Sequence, residues 1–251
     1  MSSLLDDLDL LEVMEHDNAD APKANLRSAR RAALALSQHF AVTHPHALVL
    51  EESAMARGVL VLEERLEGAE AHLLHTTGQG VMRVRAALPE LGRKRFAIAH
   101  ELGHWELHAH FLHGVVCTDM DMLNSSVSPP EIEANTFASE PLMPTALFRP
   151  RCAHAGPNLT VAKGLAPEFQ TTLTATAVRF VEAGRAACLI VFSEQGRVRW
   201  WRKRRHRAGG LAGTSLGAPS RESGVGVCAG PDPAEHHAAR PHRGVVSHAT
   251  A

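Results

Sequence analysis

One stretch, residues 95–105, constrains the fold of this chain more than any other. It contains an H-E-x-x-H pattern in which His100 and His104 are four residues apart. Residues four apart on a helix lie on one face, so both imidazoles can point at a single metal ion. Glu101 borders that face, where its carboxylate can take a proton from water. The pattern is typical of zinc peptidases, with two metal ligands and a general base on one helical turn.

The surroundings of the pattern decide how much weight it has. The chain has 17 histidines, so the H-E-x-x-H string alone can arise by chance. The alternative to a metal site is a helix whose histidines are solvated or hydrogen-bonded in the core. However, residues 96–99 are apolar, which predicts a mostly buried helix, and burying a polar group without a partner costs roughly 2–7 kcal/mol. Gly103, which costs about 1 kcal/mol relative to alanine inside a helix, lets another backbone or a substrate come close. This context favours a zinc site.

Catalytic zinc usually has three protein ligands, so the pattern needs one more. His110 has the metzincin spacing, but Leu107 stands where that pattern has a glycine to turn the chain. His108 lies nearer the metal face but one turn too far along the helix. The remaining candidates are Glu131 and Glu133, which belong to a second predicted helix.

That second helix is indicated by prolines near both ends and by glutamates in its first turn, where the positive end of the helix dipole favours them. Glu131 and Asn135 are four apart and share a face, so Glu131 can bind the metal while Asn135 orients a ligating histidine. Glu133 shares its face with Phe137 instead. We therefore prefer Glu131 as the third ligand; the alternative is that both glutamates only stabilise the helix start. The prolines are Pro129, Pro130, Pro141 and Pro144.

The two segments together carry a family resemblance. Residues 95–104 and 131–138, followed by Leu142-Met143-Pro144, resemble the ImmA/IrrE family of metallo-endopeptidases. In that family a downstream glutamate completes a gluzincin-type site, and Glu131 falls at that place with Glu133 slightly beyond it. The resemblance covers residues 24–205 and departs from the family pattern at Pro141, where an apolar residue is usual.

The resemblance implies a zinc-dependent endopeptidase that cleaves a helix-turn-helix transcriptional repressor in a stress or mobile-element response. It implies Zn²⁺ held by His100, His104 and Glu131, with Glu101 as the catalytic base. The alternative is a zinc-containing regulator that contacts DNA or a protein without cleaving it.

Related peptidases often use a tyrosine or histidine to stabilise the oxyanion. This chain has no tyrosine, so His75, His108, His113 or an arginine must serve if such a donor exists.

Composition limits the partners and the compartment. The formal net charge of −1 gives no overall footprint for nucleic acid or an anionic membrane. The acidic start lacks the basic region of a signal peptide, and no apolar run approaches the ~18 residues that span a bilayer. The four cysteines show no C-x-x-C spacing and are interpreted as reduced thiols. We expect a cytoplasmic protein without membrane contact; its oligomeric state is not predicted.

The predicted fold class is α+β: a zincin-like core with a small sheet, the H-E-x-x-H helix and the glutamate-bearing helix, then a helix-turn-helix-like segment and a closing hairpin. We place residues 81–85 on the edge of the sheet. In the helix-turn-helix-like segment, Thr174, Thr176 and Arg179 are expected on the surface of the second helix, with too little basic charge for direct DNA binding. The predicted divisions are a flexible acidic tail at 1–22, the zinc metallopeptidase core at 23–155, the helix-turn-helix-like segment with its hairpin at 156–205, and a disordered tail at 206–251.

Overall fold

The structure is a computed structural model, and its description covers most of the chain between residues 24 and 203 and two later strands. It forms two compact units, one of Ala24–Ala155 with Thr160–Gly184 and another made mainly of Arg185–Ala251. Both helices and sheets are present, which confirms the α+β class. The predicted tail at 1–22 lies outside the described residues. Those are 24–76, 78–108, 114–117, 128–153, 158–184, 188–194, 197–203, 224–229 and 246–250.

The larger unit begins with two helices. Three strands, one long helix and a fourth strand of the same sheet follow, and four helices end the unit. The helix α1 is capped by Asn25, whose side-chain oxygen accepts from the backbone N–H of Ser28 at 3.0 Å. The elements are α1 Leu26–His39, α2 Leu50–Ala56, β1 Val59–Glu64, β2 Ala71–Thr76, β3 Gln79–Arg85, α3 Leu91–His108, β4 Gly114–Cys117, α4 Pro129–Leu142, α5 Thr145–Cys152, α6 Leu159–Phe169 and α7 Leu173–Ala183.

The sheet of this unit has the strand order β1-β3-β2-β4. β3 pairs in parallel with β1, with Val59 opposite Gly80, and antiparallel with β2, with Leu73 opposite Met82. The prediction that residues 81–85 form the edge strand is therefore wrong, because β3 is paired on both sides. Its buried Met82 and Val84 fit a central position, which the alternation of its residues does not distinguish from an edge.

The helix α3 packs into the core between the sheet and α4. Its Ile98 and Leu102 are fully buried together with Met82 of β3 and Phe137 of α4. Gly103 lets the two helices approach closely, since a Cβ there would lie 3.1 Å from the Cα of Ala134. We expected another backbone to come close at this glycine, and that backbone is α4. The close approach holds α4 against the face of α3 that carries the histidines.

The helices α6 and α7 lie where two helices were predicted, but α7 does not expose the expected residues. Thr176 and Arg179 are 0% and 4% exposed, so the prediction that they lie on the surface is wrong. The Arg179 guanidinium is turned inward, where it binds the Glu140 carboxylate at 2.5 Å and donates to the carbonyl of Met143. This face of α7 is occupied by the core.

The smaller unit is an antiparallel sheet with the strand order β6-β5-β7-β8. The hairpin predicted in this region is present, with β5 at Cys188–Glu194 paired to β6 at Arg197–Lys203. Its rings Phe192 and Trp200 stack with centroids 5.5 Å apart.

Two strands lie within the range 206–251, for which a disordered tail is predicted, and the rest of that range lies outside the described residues. Gly224–Ala229 forms β7, which pairs with β5, and Val246–Thr250 forms β8, which pairs with β7. The valines of β7 alternate with glycines, a strand periodicity that is inconspicuous among small residues. Within the predicted division at 156–205, the structure groups Thr160–Gly184 with the larger unit and the hairpin with the smaller unit.

None of the helices in the described ranges is long and apolar enough to cross a bilayer. Cys152 and Cys188 are both buried and neither forms a disulfide, and burial raises the pKa of the Cys152 thiol to about 11. Both facts agree with the interpretation of these two residues as reduced thiols. The side chains of Cys117 and Cys228 lie outside the description.

Candidate metal centre

Two helices supply the candidate metal-binding residues. The helix α3 carries His100, Glu101 and His104, which are 0%, 0% and 1% exposed. The helix α4 carries Glu131 in its first turn and Asn135 one turn later. Because the core packing of α3 on α4 fixes both helices, these side chains are held on rigid elements.

The structure brings His100, His104 and Glu131 together. The Nε2 atoms of the two histidines are 3.1 Å apart. The Glu131 carboxylate lies across both, with Oε2 3.0 Å from His100 Nε2 and Oε1 3.2 Å from His104 Nε2. One ligand atom from each residue lies within 4.8 Å of the others. The three predicted ligands therefore converge on one point.

The electrostatics of Glu131 suit a metal ligand. Burial raises the pKa of its carboxyl, but the hydrogen bonds from His100 and His104, and their charge, outweigh burial and lower the pKa to about 2. The side chain is therefore an anion at neutral pH, half-buried beside two imidazole nitrogens.

Asn135 lies within hydrogen-bond distance of the first of the two histidines. Its Oδ1 lies 3.0 Å from Nδ1 of His100. An amide oxygen only accepts, so Nδ1 of His100 carries a proton, and in the neutral ring that a metal requires the lone pair is on Nε2, which faces Glu131 and His104. This contact fixes the tautomer that a metal bound at Nε2 requires.

The alternatives for the third ligand are placed differently from Glu131. Glu133 lies with its Oε2 3.0 Å from Nε2 of His108, and it is absent from the three-residue cluster among the described residues. His108 in turn has its Nδ1 3.0 Å from Nδ1 of His104, on the ring edge away from the cluster. The remaining alternative, His110, lies outside the described residues.

The contact between His104 and His108 was missed by the sequence reasoning, which considered His108 only as a ligand or an oxyanion donor. The signal was available, because the two histidines are four residues apart on one helix. Burial lowers the pKa of His108 in spite of its hydrogen bond with Glu133, so its imidazole is neutral at physiological pH.

The other proposed oxyanion donors among the described residues are His75 and His108. The ring of His75 packs on Trp105 with centroids 4.7 Å apart. His113 lies outside the described residues. Both ring nitrogens of His108 are within hydrogen-bond distance of other side chains, those of His104 and Glu133.

An α+β unit that sets two histidines of an H-E-x-x-H helix against a glutamate of the next helix defines a candidate metallopeptidase. The chain belongs to the Peptidase_M78 family, since the family model, described as the IrrE N-terminal-like domain, matches residues 54–181. The match covers both helices of the site. It confirms the resemblance to the ImmA/IrrE family.

One similar solved structure is a Mycobacterium tuberculosis transcriptional regulator, at 16% sequence identity and a TM-score of 0.50. The alignment covers 70% of this chain and 55% of that chain, so the present chain spans little more than half of that protein's length. At this identity the likeness shows a similar fold alone. No curated protein matches the chain.

Proposed function

We propose that this protein is a zinc-dependent endopeptidase that cleaves a helix-turn-helix transcriptional repressor. The observation that carries the proposal is the convergence of His100, His104 and Glu131 within 4.8 Å beside the buried Glu101. Membership of a peptidase family supports the reaction class. The cut releases the genes that the repressor silences in a stress or mobile-element response, which places the protein in the cytoplasm.

The donor set fits zinc. Two imidazole nitrogens and one carboxylate are a common set for catalytic zinc, which keeps its fourth position for water or substrate. Both imidazoles are oriented for it, because Nδ1 of His100 faces Asn135 and Nδ1 of His104 faces His108, while both Nε2 atoms face Glu131. When bound here, Zn²⁺ supplies a Lewis acid that polarises a carbonyl and lowers the pKa of water towards neutrality.

The remaining chemistry belongs to Glu101. Its carboxylate removes a proton from the attacking water, whose oxygen forms a bond with the scissile carbonyl carbon. The carbon–nitrogen bond then breaks, and Glu101 gives the proton to the departing amine, which leaves as a neutral group. Glu101 is buried and follows His100 directly in the sequence, on the same turn of α3 as the two ligating histidines.

The repressor substrate rests on the family resemblance, and one feature of the fold supports a protein target over DNA. Arg179, a basic residue of α7, is buried against Glu140 and is not available to phosphate groups. A helix that reads DNA needs exposed basic and polar side chains. We therefore propose that the helix pair α6–α7 supports the peptidase unit.

The experiment uses the purified zinc-loaded protein and a helix-turn-helix repressor encoded beside its gene. We expect cleavage of the repressor at a defined bond, detected by mass spectrometry, and no cleavage of casein, because such a peptidase is selective. A zinc chelator should abolish the reaction and added zinc should restore it.

The contrasting result separates the alternative function. If the zinc-loaded protein leaves the repressor intact and instead shifts promoter DNA at physiological salt, it is a zinc-containing regulator without peptidase activity. A repressor cut equally well in the presence of the chelator would contradict metal-dependent hydrolysis.

A further inference from the structure

A series of hydrogen bonds extends from His104 away from the metal cluster and across three helices. Nδ1 of His104 lies 3.0 Å from Nδ1 of His108, and Nε2 of His108 lies 3.0 Å from Oε2 of Glu133. The other carboxylate oxygen of Glu133 accepts from the backbone N–H of Asn25, the N-cap of α1, at 2.5 Å. His108 is 1% exposed and the Glu133 side chain 17%, so the contact between them is partly shielded from water, whereas the contact of Glu133 with Asn25 lies at the surface.

The proton direction along this series is fixed from its far end. The backbone N–H of Asn25 can only donate, and the Glu133 carboxylate can only accept, from Asn25 at one oxygen and from His108 at the other. His108 therefore carries its proton on Nε2 and presents a bare Nδ1. That nitrogen accepts from His104, so Nδ1 of His104 carries a proton, and in the neutral ring that a metal requires the Nε2 lone pair faces Glu131.

We propose that His108 and Glu133 are positioning residues that set the tautomer and the ring orientation of His104 for metal binding. The inference rests on the metal site of the proposed function. It gives each ligating histidine its own support, with the Asn135 amide at His100 and the His108–Glu133 pair at His104. A carboxylate acting through an imidazole also makes His104 more basic, which strengthens its bond to a metal.

The roles of the two glutamates of α4 are then distinct, although they are only two residues apart. Glu131 faces the Nε2 atoms and acts as the ligand, whereas Glu133 faces His108 and acts through it. Both carboxylate oxygens of Glu133 are used. A glutamine at this position has one oxygen and one NH₂ group, so it must lose either the bond from His108 or the bond from Asn25.

The test compares zinc affinity in the full-length variants His108→Phe and Glu133→Gln with that of wild type, by competition with a chromophoric chelator. We expect the dissociation constant to rise about 10- to 100-fold in both variants. The matched control is Glu106→Gln. Glu106 is a glutamate of α3 whose carboxylate binds the exposed Arg57 at 2.5 Å, and this variant should bind zinc as wild type does.

A second measurement separates positioning from a merely structural role. NMR of the histidine ring nitrogens in the zinc-loaded protein should show a slowly exchanging Nδ1–H on His104, and this signal should weaken or vanish in both variants. If His108→Phe fails to fold, as judged by circular dichroism, Glu133→Gln decides the question.

Wild-type affinity and an unchanged His104 signal in a folded variant would overturn the positioning role. The measurement does not depend on cleavage. If both variants bind zinc more weakly than wild type, but wild type cleaves no repressor, the positioning role is supported and the proposed function is refuted. Wild type that binds no zinc would overturn both.

Discussion

Glu101→Gln is expected to keep its zinc and to cleave the repressor about 100- to 10,000-fold more slowly than wild type. The amide has nearly the shape of the carboxylate, so the buried site of Glu101 is preserved, but it cannot take a proton from water at neutral pH. The three clustered donors, His100, His104 and Glu131, are untouched by the change. The measurement pairs the cleavage rate under single-turnover conditions with the zinc content of the same sample.

The control for this variant is again Glu106→Gln, which changes a glutamate of the same helix that binds Arg57. Its cleavage rate should match that of wild type. A Glu101→Gln variant that cleaves at the wild-type rate would remove Glu101 from the mechanism. Loss of zinc together with activity would make it a structural part of the metal site instead.

Arg179→Met is expected to lower the free energy of unfolding by about 3–5 kcal/mol, the usual effect of removing one partner of a buried ion pair. The Glu140 carboxylate would remain buried without the guanidinium that lies 2.5 Å from it, and the Met143 carbonyl would lose its donor. The bonds that Thr145 donates to Glu140 compensate only partly. Urea denaturation followed by circular dichroism measures the change.

Arg151→Met is the matched control. Arg151 also pairs with a glutamate, Glu168, but the two side chains are 34% and 39% exposed. A pair in contact with water contributes at most about 1 kcal/mol. Equal destabilisation by the two substitutions would show that the Arg179–Glu140 pair has no special weight in this fold.

The same pair predicts how stability responds to acid. Burial raises the pKa of Glu140, but the charge of Arg179 and the hydrogen bonds from Thr145 and Arg179 outweigh it, so the pKa lies below the ordinary 4.5. A pKa lowered by folding adds stability that is fully present above the unfolded value. That stability is lost as the pH falls through the folded value. Arg179→Met should therefore lose less stability than wild type when the pH drops below about 4.5.

The sequence was sufficient for the helix that carries the histidines, because the period of a helix alone brings His100 and His104 to one face. It was also sufficient for the α+β class and for the family. The choice between Glu131 and Glu133 was harder, since both favour the start of a helix. The deciding factor is the rotation of α4 against α3, which the packing of Ala134 on Gly103 sets and which spacing along one chain does not encode.

Other features escaped prediction for similar reasons. The central position of β3 depends on its pairing with β1 in parallel, a long-range contact that alternation within one strand leaves open. The burial of Arg179 depends on a glutamate from another helix. The contact of His108 with His104 was readable from helical spacing, whereas its bond to Glu133 required the two helices to be docked.

The most direct test of the central claim is the zinc content of wild type beside Glu131→Ala and Glu133→Ala, measured by plasma mass spectrometry after saturation with zinc and removal of the excess. We predict one zinc ion per wild-type chain, no bound zinc in Glu131→Ala, and zinc retained with weaker affinity in Glu133→Ala. Full retention of zinc by Glu131→Ala would contradict a site built from His100, His104 and Glu131.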